Sequence, residues 1–125
     1  MNLALWIAAG LLATVALVGG VTKTFLSKPK LAATQGGEWT TDVGTGFVKA
    51  LGVVELLAAA GLVLPAALGV APVMVAVTAA AWILLMLGAM RTHARLDQYK
   101  LVLVNSIYVA LALFLVVGRL ALHPF

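Results

Sequence analysis

Four long apolar runs, at residues 3–21, 47–64, 70–90 and 101–117, leave this chain little choice but helices in a bilayer. Each falls within or near the roughly 17–25 residues that carry an α-helix across about 30 Å of hydrocarbon. In that solvent every backbone N–H and C=O must be satisfied within the protein, which leaves helices or a closed barrel. The runs show no dyad alternation, so the barrel is excluded. Composition agrees: 64% of residues are hydrophobic and 10% are charged, against about 25% charged in soluble domains. The expected fold is all-α: an integral membrane four-helix bundle forming a single membrane domain over 1–125, with short loops and one longer loop between the first two helices.

The breaks between runs carry the topology. Pro65-Ala66-Ala67-Leu68-Gly69 is expected to stop the second helix at Pro65, with Pro72 in the first turn of the third. Residues 91–100, with Arg91, His93, Arg95, Asp97 and Lys100, join the third and fourth. Short connections make sequential helices antiparallel neighbours. The long connection, 22–46, holds Lys23, Lys28, Lys30, Gln35, Glu38, Trp39 and Asp42, with Pro29 and Gly36-Gly37 breaking any regular pattern. Trp39 suits an interfacial anchor. Thr40-Thr41-Asp42 is placed to cap an early start of the second helix, which puts Lys49 about two turns inside it. The run 3–21 lacks a basic flank before it and is longer than a signal-peptide core, so it reads as a retained span.

Lys and Arg number eight against four Asp and Glu, but they sit at the ends of apolar runs, the membrane pattern and not a nucleic-acid surface. Loops 22–46 and 91–100 share one side and most of these charges. The positive-inside rule therefore expects both loops to be cytoplasmic and both termini outside. With no Cys, the chain has no disulfide, thiolate metal site or thiol redox chemistry of its own. No Cys/His/carboxylate spacing argues for a metal, and His93 and His123 fall on opposite sides, which argues against haem.

Glu55 lies near the middle of the second apolar run, where a carboxylate costs roughly 2.5–3.5 kcal/mol on insertion scales. It must be protonated, paired, or facing a polar cavity. Helical spacing puts Val48, Gly52, Glu55, Ala59 and Leu62 on one stripe, so Glu55 points into the bundle. Lys49 is about 120° away around that helix and is expected to find its partner elsewhere or to snorkel. The third run aligns Trp82, Met86, Ala89 and His93. The fourth aligns Asn105, Tyr108, Ala112, Leu115 and Arg119. Glu55, Lys49, His93 and Asn105 then share the half of the membrane nearer the charged loops, with Lys23 at its rim, and a lined cavity opening to that side is expected. Plainer roles stand beside this one. Glu55 and Asn105 also suit interhelical hydrogen bonds, and His93 an interfacial site. Lys23 and Lys49 suit topogenic or snorkelling charges, and Trp82, Met86 and Tyr108 suit packing.

The segment Phe47-Val48-Lys49-Ala50-Leu51-Gly52-Val53-Val54-Glu55-Leu56-Leu57, running on to Gly61-Leu62-Val63-Leu64-Pro65, resembles the DoxX-like family of small four-span membrane proteins. So do Met86-Leu87-Gly88-Ala89-Met90 leading into Arg91-Thr92-His93-Ala94-Arg95, and Gly19-Gly20-Val21-Thr22-Lys23 closing the first run. The resemblance covers essentially the whole chain. It implies a four-helix bundle in a plasma membrane, usually bacterial, and an association with respiratory or thiol-redox chemistry. It also implies functional positions at Lys23, Glu55 and His93. Any thiol exchange would be supplied by a redox protein partner.

Three functional readings follow. The first is a redox-associated subunit binding a quinone or other lipophile: Glu55 and His93 bind the head group or pass protons, and Asn105 orients it. Lys23 or Lys49 neutralises developing charge, and Trp82, Met86 and Tyr108 form the apolar wall. The second is a non-catalytic assembly or chaperone-like membrane protein, with membrane lipids and a second copy as further partners. The third is an acid–base isomerase or cyclase of a lipophilic substrate, built on Glu55.

Overall fold

A computed structural model describes residues 1–34 and 36–125. Gln35, named above in the long connection, lies outside the described residues. The first span is α1 (Asn2–Phe25), followed by a short helix α2 (Lys28–Ala32) and a 3₁₀ turn (Glu38–Asp42). The remaining spans are α3 (Thr45–Leu68), α4 (Met74–Arg95) and α5 (Tyr99–Val117), whose path continues through a π-helical turn at Gly118–Leu122. Among the described residues four helices are long and apolar enough to cross a membrane, and the chain is an all-α, multi-pass membrane bundle.

Three local expectations are corrected. Pro65 does not stop α3, which runs one turn further to Leu68. A proline in the last turn forfeits only its own N–H, and here its carbonyl accepts from Val70 N at 3.0 Å while Gly69 N donates to Ala66 O at 3.3 Å. That is a Schellman ending with Gly69 left-handed at φ 68°. Pro72 does not open α4; it lies in the turn before Val73, the N-cap. Thr40, Thr41 and Asp42 do not cap α3, because they form their own 3₁₀ turn and Gly44 is the N-cap. Lys49 consequently lies about one turn inside α3, not two.

The turn between α4 and α5 repeats the Schellman geometry: Gln98 N donates to His93 O at 2.8 Å and Asp97 N to Ala94 O at 3.1 Å. Asp97 takes the left-handed position at φ 57°, a conformation that Asp and Asn tolerate better than most side chains. This turn places the Gln98 side chain beside His93.

The bundle is built from two pairs. α1 packs chiefly on α3, and α4 on α5, with smaller contacts between the pairs. The longest connection thus joins a closely packed pair, because α1 and α3 meet at small residues. A Cβ on Gly20 would fall 2.9 Å from Gly52 O, and one on Gly52 would fall 2.8 Å from Thr24 N. Such backbone approach is how helices associate where lipid supplies no hydrophobic drive. α3 and α4 approach closely at Gly61 and Thr78, toward their short turn. The buried core runs through Leu5, Leu12, Ala16, Leu62, Ala79, Trp82, Ala112 and Leu115.

Hydroxyls within the spans are largely returned to their own helices. Thr14 donates to Gly10 O at 2.8 Å, Thr92 to Gly88 O at 3.0 Å and Ser106 to Val102 O at 2.9 Å. At the end remote from the charged loops, Arg119 is buried. Its Nη1 donates to His123 O at 3.1 Å, and its guanidinium carbon sits 3.8 Å from the Phe125 ring centroid.

Gly52→Ala forces α1 and α3 apart and is expected to destabilise the bundle by about 1–3 kcal/mol, the usual range for overpacking. Gly10→Ala, where no atom lies within 4 Å of the added Cβ, is expected to be neutral or slightly stabilising. Equilibrium unfolding of both variants in mixed micelles measures the difference.

Candidate functional site: a polar cavity between the helix pairs

Lys23 lies in the last turn of α1, and Cα–Cβ bonds tilt toward a helix's N-terminus. For α1 that direction leads into the membrane, so the Lys23 side chain reaches inward instead of snorkelling. Its Nζ donates to both carboxylate oxygens of Glu55, at 3.1 and 3.0 Å. The two side chains are 19% and 7% exposed. Gly19, one turn above Lys23, makes the room: a Cβ there would lie 2.8 Å from Glu55 Oε2.

Lys49 obeys the same rule with the opposite result. α3 begins at the loop side, so Lys49 leans back out of the bundle, and its Nζ donates to the carbonyl of Leu26. Leu26 is the C-cap of α1, where a cation offsets the helix's negative end and satisfies an orphan carbonyl. Both lysines therefore find partners across the α1–α3 interface, one on a side chain and one on the backbone.

A cavity of about 700 Å³ lies beside the Lys23–Glu55 pair. It brings together Lys23, Glu55, Trp82, Met86, His93, Asn105 and Tyr108, seven of the eight candidate positions; Lys49 is not among the described lining residues. Trp82 and Asn105 are 2% and 9% exposed. The indole Nε1 and the amide Nδ2 have no hydrogen-bond partner among the described residues. An unmet buried donor costs about 1–3 kcal/mol, and both belong to residues that line this cavity.

The segment after α2 covers part of the cavity, with Gly36, Trp39, Asp42 and Val43 in its wall. It is fastened to the α4–α5 turn by a chain of hydrogen bonds. Gly36 N and Gln98 Nε2 both donate to Glu38 Oε2, each at 2.9 Å. Because a carboxylate only accepts, Glu38 fixes the orientation of the Gln98 amide, and Gln98 Oε1 then accepts from His93 Nδ1 at 2.8 Å. That bond leaves Nε2 as the ring nitrogen turned away from Gln98. Gln98 and Glu38 escaped the reading of the sequence as site residues. They lie 60 positions apart, with no periodicity to relate them. Gly19 did carry a signal, four residues before a lysine on the same helix.

Two outcomes follow. Lys23→Met leaves Glu55 without its partner and is expected to cost about 3–5 kcal/mol, the range for breaking a buried pair, while Lys23→Met/Glu55→Leu recovers most of it. A double-mutant cycle by unfolding in micelles checks the coupling. The Glu38 carboxyl is held below its ordinary value of 4.5 by its own backbone N–H and then by the Gln98 amide, with the Gly36 N–H and the charge of His93 adding to the effect. The fastening is therefore fully present above that ordinary value and is lost as pH falls through the lowered one. Hydrogen exchange of residues 36–43, corrected for intrinsic rates, is expected to stay slow from neutral pH down to the ordinary carboxylate range and to speed up below it; Glu38→Gln exchanges faster throughout.

Comparison with known proteins adds one finding. No curated protein and no solved structure matches the chain. The pattern that defines the DoxX-like family matches residues 7–115, a stretch that holds α3 and α4 whole, most of α1 and α5 and every described lining residue of the cavity, and the chain belongs to the DoxX-like family.

Proposed function

We propose that the cavity holds a quinone, or a lipophile with quinone-like carbonyls, and that the chain serves as a redox-associated subunit of a bacterial plasma membrane. The observation that carries this reading is one cavity lined by the Lys23–Glu55 pair, His93, Trp82 and Asn105, the last two of which hold buried donors, Nε1 and Nδ2, with no partner among the described residues. A quinone head presents carbonyl oxygens and no donors, which complements them. His93 Nε2, the ring nitrogen not bonded to Gln98, is suited to a ring oxygen of either redox form. Lys23 supplies a positive charge beside a ring that gains electron density, and Met86 and Tyr108 give the ring an apolar wall. The volume lies within the roughly 300–1,000 Å³ of small-molecule sites. The positive-inside rule orients the cavity toward the cytoplasm, with loops 22–46 and 91–100 on that side and both termini outside.

The acid–base isomerase reading draws less support, because both oxygens of Glu55 are engaged by Lys23 and the group is not free to act as an acid. The assembly reading draws on the open faces at Gly10, Gly44 and Gly46, where an added Cβ meets nothing within 4 Å.

Titration of a decyl-chain benzoquinone into protein in nanodiscs, followed by tryptophan quenching, tests the proposal. Saturable binding is expected, weakened about tenfold by Asn105→Leu, the equivalent of one hydrogen bond, and weakened also by Glu55→Gln, which loosens Lys23. Absence of saturable binding, or binding unchanged by Asn105→Leu, overturns it.

A further inference from the structure

The cavity wall contains residues that face inward and residues that face out of the bundle, and the outward ones are confined to one seam. Of its described lining residues, Phe47 is 57% exposed and Leu84 is 72% exposed. Gly88 and Arg95 are exposed as well. On α4 the exposed positions Leu84, Gly88 and Arg95, with half-buried Thr92 between the last two, recur at spacings of four, four and three. They form a stripe beside the inner stripe of Trp82, Met86, Ala89 and His93. Across the seam stand Phe47 and Leu51 of α3.

Helix packing explains why the seam opens there. α3 and α4 touch closely at Gly61 and Thr78, toward the turn that joins them, and the cavity separates them toward the other end. At Gly88 the gap is bare: an added Cβ meets nothing within 4 Å among the described residues. The Thr92 hydroxyl is turned back onto Gly88 O at 3.0 Å, so it places no unsatisfied polar group in the opening. The slit grades from apolar at Leu84, Gly88 and Phe47 to charged at Arg95 and Asp42, as a slit running from the hydrocarbon to the interface must.

We propose that the cavity is loaded sideways from the bilayer through this slit between the N-terminal half of α3 and the C-terminal half of α4. The ligand class is a membrane-dissolved lipophile whose head group lodges near Trp82 and Asn105 while its chain lies past Gly88 in the lipid. The proposal rests on the cavity being a ligand site but not on that ligand being a quinone. Its route avoids the segment that Glu38 and Gln98 hold down, which would otherwise have to lift for each binding event.

The test uses Trp82 as the only tryptophan (Trp6→Phe, Trp39→Phe) in vesicles of phosphatidylcholine with brominated chains. Bromine quenches the indole only where a lipid chain reaches it. Quenching of Trp82 is expected in brominated vesicles, with little effect of aqueous iodide. Gly88→Phe, which plugs the slit from an open surface position, is expected to reduce the quenching at least twofold, whereas Gly10→Phe on the outer surface of α1 leaves it unchanged. Absence of lipid quenching, strong iodide quenching, or a Gly88→Phe protein that quenches like its parent overturns the proposal. Lipid quenching that Gly88→Phe blocks, in a protein that binds no quinone, upholds the lateral route and removes the quinone.

Discussion

Everything in this bundle is arranged around one ion pair, Lys23 with Glu55, made where charge is expensive. Lipid supplies no water to either group, so each depends on the other, and both carboxylate oxygens are taken. The pair forms only because the helix backbones come close, and they do so only because Gly19, Gly20 and Gly52 carry no side chain into the interface. Glycine, lysine and glutamate act as one unit. The glycines bring α1 to α3, the inward tilt of an α1 side chain delivers the ammonium, and the resulting neutral pair tolerates an apolar setting that neither charge would tolerate alone.

Lys49 shows how strongly helix direction governs the outcome. Two lysines on neighbouring helices, both near the loop side, are sent opposite ways because α1 and α3 run antiparallel. One goes inward to a carboxylate and the other outward to the end of α1. The second contact closes the connection between α1 and α3 at its base, so residues 27–44 leave and rejoin the bundle at one place. That segment is then free to fold over the cavity, and the Glu38–Gln98 bond settles where it lies.

Much of this was legible in the sequence. The four spans follow from hydropathy and length. The burial of Glu55, Trp82, Met86 and Asn105 follows from three-and-four spacing around polar positions in apolar helices. The gathering of Glu55, His93 and Asn105 in the half of the membrane nearer the charged loops, with Lys23 at its rim, follows from the 1.5 Å rise. The unread parts share a cause: they are contacts between backbone and side chain, or between distant loops, that leave no periodic trace. Lys49 bonds a carbonyl, a group every residue has. Pro65 reads as a stop until the Schellman bonds beyond it are seen. Gln98 reads as an ordinary loop amide until Glu38, far away in the chain, orients it. The pairing of helices was also only half visible, since loop length favours α3 with α4 while small residues favour α1 with α3.

The two-pair construction bears on what can alter the cavity. The α1–α3 interface is sealed by glycines and an ion pair that belong to those two helices, and α4 and α5 pack on each other across a three-residue turn. The space between the pairs is walled on one side by Glu55 and on the other by Trp82 and Asn105. The cavity is a seam and not a hollow carved in one core, so its width is set by how the two pairs lean on each other.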